Sequence, residues 1–267
     1  MLNEETFLID PELRKLQLTE LEILKDVADL CEKYDLRYYL SGGTLLGAVR
    51  HHGFIPRDDV VDIMMPYQDY LEFLKVAQNE FGTRYFVQNY MTDSHDHQAF
   101  TKIRKNGTSM IMPNHRRWKI HQGIWIDVFP IVMIKDDKDF KRRKKAISIS
   151  NFFQMDTFLL DNENEFKSIL GFAYPLFRLF LLLPMKFRQQ LHSLFLNYAY
   201  RECNGGYFSE SWGTLTTKYK RQILIGDSME LAFEGASFRV PPKFTEYLKD
   251  TYGDYMTLPP MEQRRGH

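Results

Sequence analysis

The 267-residue sequence has no surplus of either charge, since Lys+Arg and Asp+Glu both number 35. A chain without a net field does not attract nucleic acid or an acidic partner as a whole, so any charge-based function has to be local. Cysteine is scarce: Cys31 lies in a helical pattern, Cys203 in a loop-like stretch, and no Cys-x-x-Cys spacing occurs. That points to a reducing compartment and away from zinc. The N-terminus, MLNEETFLIDPELRKLQ, lacks a basic region followed by an apolar core, so no signal peptide is read and a cytoplasmic location is expected. No apolar run reaches the ~20 residues that cross a bilayer. The longest, ILGFAYPLFRLFLLLP at 169–184, is interrupted by Pro175 and Arg178. Flanked by Lys167, Lys186 and Arg188, it reads either as a buried helix pair or as a segment lying in a membrane interface. Internal repeats and low-complexity tracts are also lacking.

What the chain does have is core material, with 44% hydrophobic residues, 21 Phe and 15 Tyr. That composition folds and is not disordered. A helical stripe runs through Leu13, Leu16, Leu21, Leu24, Val27, Cys31 and Tyr34. LRYYL then reads as a strand, Ser41-Gly42-Gly43 as a turn, and Thr44 to about His52 as a helix. VVDIMMP is a strand ended by Pro66, and YQDYLEFLKVAQNEF is helical. RYFVQNY and FTKIRKNGTSMIM read as strands around an Asn106-Gly107 hairpin signal, and GIWIDVFPIVMI as a further strand. From 137 the pattern turns helical, beginning with a basic amphipathic stretch that contains KRRKK at 141–145. After 204 it returns to short strands, loops and a helix. The fold class expected is α/β (α+β), a mixed sheet flanked by helices. Residues 1–136 form the core, 137–204 a helical insertion with a possible membrane-surface role, and 205–267 a segment that completes the first domain.

Two features carry chemistry. Gly42 and Gly43 stand between a strand and a helix, where a backbone without side chains lets a ligand approach and the first helical N–H groups, including that of Thr44, can receive a phosphate. An ordinary tight turn fits the same residues. About fifteen residues on, GFIPRDDVVDIMMP brings Asp58, Asp59 and Asp62 to the start of a strand. Strand alternation puts Asp58 and Asp62 on one face and Asp59 on the other. Asp127 interrupts an otherwise apolar strand, and a buried carboxylate requires a cation or a metal. Oxygen ligands from two strands beside a phosphate cradle suit Mg²⁺ or Mn²⁺ and phosphoryl or nucleotidyl transfer. The plainer reading is a salt-bridged strand end capped by Arg57 or Arg104.

The segments GGTLLGAVRHHGFIPRDDVVDIMMPYQDY, KIRKNGT, GIWIDVFP, FEG and YGDYMTLPP, in that order, resemble the LicD family, phosphocholine transferases of bacterial surface polysaccharides related to fukutin and fukutin-related protein. The resemblance implies a nucleotidyltransferase-like fold and transfer of a phosphorylated alcohol from a CDP-linked donor, CDP-choline or another CDP-alcohol, to a glycan or lipid-linked glycan. No nucleic-acid partner is implied. It places donor phosphate at Gly42 and Gly43, metal at Asp62 and Asp127 with help from Asp58, and Arg50 and His52 on the helix side of the donor pocket. Arg104 and Thr108 match the family's basic and hydroxyl positions. Glu234, Tyr252, Gly253 and Asp254 match its C-terminal motifs without an assigned role. Trp118, Trp125, Tyr252 and Tyr255 are the aromatic faces near these motifs that could meet a choline ammonium.

The chain departs from the family at the carboxylates. Where the pattern is Pro-Trp-Asp-Asp-Asp-Ile-Asp, this sequence has Pro56-Arg57-Asp58-Asp59-Val60-Val61-Asp62. Val60 removes one ligand, so Asp58, or Asp59 through a bulge, has to substitute. Two alternatives follow: a degenerate homologue that binds donor or a partner enzyme as a scaffold, or a nucleotidyltransferase that uses a nucleoside triphosphate. His95 and His97 are read as surface residues, and Ser41 is not read as a nucleophile.

Overall fold

The computed structural model describes residues 10–260 except 94, 97, 113–115, 117–118, 154–170, 172–174, 176–178, 181, 228 and 259. Trp118, His97, His115 and most of the apolar stretch 169–184 lie outside the described residues. Among those described, no helix is long and apolar enough to cross a membrane.

The chain forms a curled mixed sheet flanked by helices. Helix α1 (Pro11–Lys33) starts at Asp10, whose side chain accepts from the Glu12 amide at 2.9 Å, with Pro11 in the first helical turn. Its buried stripe, including Leu21, Leu24, Val27 and Cys31, packs over the central strands. Strand β1 (Tyr39–Leu40) leads into α2 (Gly42–His51), so the helix begins at Gly42 and not at Thr44: the two glycines are its first turn. Strand β2 (Val61–Pro66) is followed at once by α3 (Tyr67–Phe81), then β3 (Tyr85–Gln88), β4 (Thr101–Lys105) and β5 (Trp125–Ile134). The order is β1-β2-β5-β4-β3. Among the described residues only β2 and β5 pair in parallel; the other pairs are antiparallel.

The Asn106-Gly107 turn does occur, but it does not make the expected hairpin. Residues 108–112 are not strand, and β4 pairs with β5 instead. Thr108 is the reason: its hydroxyl donates to the Lys105 carbonyl at 2.7 Å and accepts from the Ile124 amide at 3.0 Å, which turns the chain back early and starts β5.

Strand β5 spans ten residues, and its halves serve different partners. Trp125–Val128 lie beside β4, whereas Ile131–Ile134 pair with β6 (Tyr207–Glu210). Between them in sequence come α4 (Asp137–Phe152) and α5 (Met185–Tyr200), which pack together and, through Ala146, Ile147, Leu196 and Ala199, against Val132 and Ile134. Within KRRKK only Arg143 is buried, donating to the Ala199 and Arg201 carbonyls at 2.7 and 2.8 Å and to Asp139 at 2.8 Å, while Lys141, Arg142, Lys144 and Lys145 face outward. Strand β7 (Tyr219–Lys220) extends the sheet from β6. A hairpin of β8 (Met229–Phe233) and β9 (Ala236–Val240) and helix α6 (Phe244–Tyr252) then pack around α2. The last third of the chain thereby returns to the sheet laid down by the first.

Candidate active site

The parallel register sets Asp62 directly opposite Asp127. The like charge on the adjacent strand raises the proton affinity of Asp62, and burial does more. Asp62 is held well above the usual carboxylate range by burial first, then by Asp127 and Asp58, with Lys102 opposing them. Strand β2 begins only at Val61, so Asp58, Asp59 and Val60 lie in the loop before it, and strand alternation does not apply to them as the sequence suggested. Asp58 nevertheless arrives beside the same turn. A Cβ on Gly43 would lie 3.1 Å from Asp58 Oδ2, and one on Gly42 would lie 3.3 Å from Asp62 Oδ2. The glycine turn and the two carboxylates therefore face one another across a gap that side chains would close.

Backbone and hydroxyl bonds hold that turn to the strand. The Asp62 amide donates to Thr44 Oγ1 at 2.9 Å, and the Ser41 amide donates to the Asp62 carbonyl at 3.1 Å. Gly42 enters the helix at φ +50°, a conformation open to glycine and strained for other residues. The Asp58 carbonyl accepts from Gln17 of α1 at 2.9 Å, so the long first helix pins the loop.

Several residues at the site were not expected. Asp127 is paired with Lys102 Nζ at 2.5 Å, in place of the Arg57 or Arg104 considered from the sequence. Lys102 is buried and also lies 4.7 Å from the Trp125 ring centroid. A lysine two positions before Arg104 in KIRK was the available signal, because residues i and i+2 of a strand share a face. Glu20 of α1 is buried, and burial followed by Asp58, Asp59, Asp127 and Asp62 keeps its carboxyl well above the normal range. Among the described residues Glu20 Oε2 and Asp59 Oδ1 are buried without a hydrogen-bond partner. Glu20 lies outside the apolar stripe read from the sequence, and periodicity alone gives no signal of its burial.

Glu210 is the other unforeseen acid. One of its oxygens accepts from the Ser41 hydroxyl and from the Trp212 indole N–H at 2.7 Å, and the second accepts from the Tyr247 hydroxyl at 2.5 Å. The Tyr247 hydroxyl in turn lies 3.3 Å from the Gly42 amide, which donates to it. Burial raises the proton affinity of Glu210 while these three donors oppose the shift. This network braces the start of α2 from β6 and α6, elements separated from it by more than 150 residues.

The remaining expected positions divide by location. Arg104 shares the Lys102 face of β4, but its guanidinium donates to Gln88 and, at 2.7 Å, to the Gly123 carbonyl, and it stacks 4.6 Å from Trp125. Burial lowers its pKa to about 10. Thr108 is occupied by the turn described above. Arg50 donates to the Tyr255 carbonyl at 2.8 Å, and His52 caps α2 at φ 56°. Glu234 accepts from Arg14 at 2.6 Å and from the Phe54 amide at 3.2 Å, tying the β8–β9 turn to α1 and to the loop that carries Asp58. Asp254 is exposed and accepts from Thr257. Tyr252 is 41% exposed, while burial of its hydroxyl, then Asp62 and Glu210, raise that group's pKa. Trp125 is buried under Lys102 and Arg104, so its face is already taken by cations of the chain itself. His95 is half-buried. A separate open cavity bordered by Tyr39, Tyr67, Arg37 and Arg221 lies near the other end of β2 and has none of these carboxylates in its lining.

Among the described residues no group of three or more His, Cys, Asp or Glu is gathered closely enough to hold a metal by itself. Magnesium is commonly bound by one or two carboxylates together with substrate phosphates and water, and does not need an all-protein cage. Asp62 and Asp58 beside the glycine turn fit that sparse, all-oxygen arrangement.

Residues 35–163 match the family model described as LicD/FKTN/FKRP, nucleotidyltransferase domain. Across 96% of this chain and 95% of the relative, the sequence is 28% identical to a lipopolysaccharide cholinephosphotransferase LicD of Haemophilus influenzae. Uncharacterized proteins of Rickettsia typhi and Rickettsia prowazekii are 40% and 39% identical over 62 residues, covering 23% of this chain and 20% and 23% of theirs. The chain therefore resembles the LicD family, over residues 35–163 by the family model and along nearly its whole length by the Haemophilus relative.

Proposed function

We propose that this chain transfers a phosphorylated alcohol, phosphocholine in the first instance, from a CDP-linked donor to a glycan of a surface polysaccharide or lipopolysaccharide precursor. The observation that supports it most is the apposition of the Gly42-Gly43 turn to Asp62 and Asp58, with Asp127 in register beside Asp62. A glycan hydroxyl oxygen attacks the donor's β-phosphorus, forming the new P–O bond as the bond to CMP breaks. The hydroxyl proton passes to a carboxylate of the pair. The α2 N-terminus receives donor phosphate through backbone N–H groups, and Lys102 offsets the charge of Asp127. Asp62 and Asp58, with Asp127, are the residues that would hold Mg²⁺ or Mn²⁺, and such an ion would neutralise the diphosphate.

A lipid-linked acceptor accords with the exposed Leu182 and Phe187, which stand beside Lys186 at the start of α5.

The scaffold reading keeps one observation in its favour, the half-buried Val60 where the family has an aspartate. The test is CMP release from CDP-choline, CDP-glycerol and CDP-ribitol with and without Mg²⁺, comparing the natural chain with Val60→Asp. Release by the natural chain supports the transferase. No release except from Val60→Asp establishes the scaffold, and pyrophosphate release from a nucleoside triphosphate establishes a nucleotidyltransferase.

A further inference from the structure

The acidic centre has an aromatic rim that the motifs did not point to. Trp212 is 41% exposed although both its edge and one of its faces are fixed. One face stacks on Phe129, with centroids 4.9 Å apart and planes 8° from parallel. Its indole N–H is bonded to Glu210 at 2.7 Å. The far edge of the ring meets Gly42, where an added Cβ would lie 2.9 Å from Trp212 Cη2 and 3.3 Å from Asp62 Oδ2. A large apolar ring held this firmly while remaining exposed is a preorganised platform. Its surroundings are acidic: the Glu210 carboxyl lies at the indole nitrogen and the Asp62 carboxyl near the far edge.

An exposed aromatic face beside carboxylates favours a cation, and a bulky, weakly hydrated quaternary ammonium gains most from it. Trp125, one of the aromatic faces noted in the sequence, is covered by Lys102 and Arg104. We propose that Trp212 is the platform on which this chain recognises the quaternary ammonium of a choline-bearing donor, and so the residue that sets the alcohol transferred. This rests on the reading of the site as a phosphoalcohol transferase. The choline nitrogen is separated from its phosphorus by one oxygen and two carbons, so a phosphate at Gly42-Gly43 leaves the ammonium at the adjoining ring. Tyr252, equally exposed, is the second ring near the same acids.

Two measurements test it. In the first, CDP-choline is compared with an isostere whose trimethylammonium is replaced by a tert-butyl group, using the natural chain, Trp212→Phe and Trp212→Leu. The natural chain and Trp212→Phe should prefer the cation, and Trp212→Leu should lose about tenfold of that preference, chiefly in KM. In the second, calorimetric titration with phosphocholine reads the same ranking without turnover, and thermal unfolding confirms that each variant folds. If Trp212→Leu keeps the natural preference and affinity, the platform is wrong while the transferase reading stands. If the natural chain releases CMP from none of the donors, the transferase reading fails, and phosphocholine affinity that does not depend on Trp212 overturns the platform as well.

Discussion

Asp62 of β2 lies directly opposite Asp127 of β5, and only one of the pair, Asp127, has a lysine against it at 2.5 Å. The asymmetry separates their roles. Asp127 is anchored by Lys102, whereas Asp62 faces the Gly42 turn and carries the raised proton affinity. Replacing Asp62 by Asn should therefore lower kcat by about 10²–10³-fold while leaving the fold at least as stable, since a like-charge contact is removed. Steady-state CMP release and thermal unfolding measured on one preparation check this; a variant that loses stability instead would show that Asp62 is structural.

Lys102 and Asp127 form a buried pair, with side chains 6% and 11% exposed. Removing one partner leaves a charge uncompensated, so Lys102→Met should cost about 3–5 kcal/mol in urea unfolding. The double variant Lys102→Met/Asp127→Asn should recover most of that loss without recovering activity. A double-mutant cycle with no coupling would contradict the pairing.

Gly43 separates space from backbone strain. It has ordinary negative φ within a helix, so Ala there should add about 0.5–1 kcal/mol of stability. Its Cβ would stand 3.1 Å from Asp58 Oδ2 and fill the cradle, so donor affinity should fall despite the gain. Gly42→Ala, at φ +50° and against Trp212, should instead lose about 1–3 kcal/mol. Unfolding midpoints and donor titration of the two variants should move in these opposite senses.

Asp96 gives a pH dependence. Burial raises its pKa from 3.8 to about 7, against the opposing pull of Lys102 and Arg104. Because the folded-state value is the higher one, the unfolded chain gives up this proton first. The associated stability is complete below about pH 4 and is lost as pH rises towards 7. Asp96→Asn should therefore raise the unfolding temperature at pH 8 by about 2–4 °C per kcal/mol relieved and change it little at pH 4. An equal shift at both pH values would rule out this cause.

Much of the local structure was readable along the chain. The apolar stripe of α1, the strand ended by Pro66 and the apolar run of β5 each follow from periodicity and local sterics, which act within a few residues. Misreadings arose where a distant group decided the outcome. Residues 108–112 had strand character, yet the Thr108 hydroxyl turned the chain towards Ile124. Arg143 sits in the basic KRRKK run, but the Ala199 and Arg201 carbonyls hold it buried.

The same division runs through the site. The sequence by itself determined which carboxylates and glycines stand near a strand start, because that depends on order and spacing. The tertiary structure alone decided that Asp62 faces Asp127, that Lys102 satisfies the latter, and that Glu20, Glu210 and Trp212 join them. Those relations rest on strand register and on the packing of segments up to 169 residues apart, and no local pattern records which buried charge will find which partner.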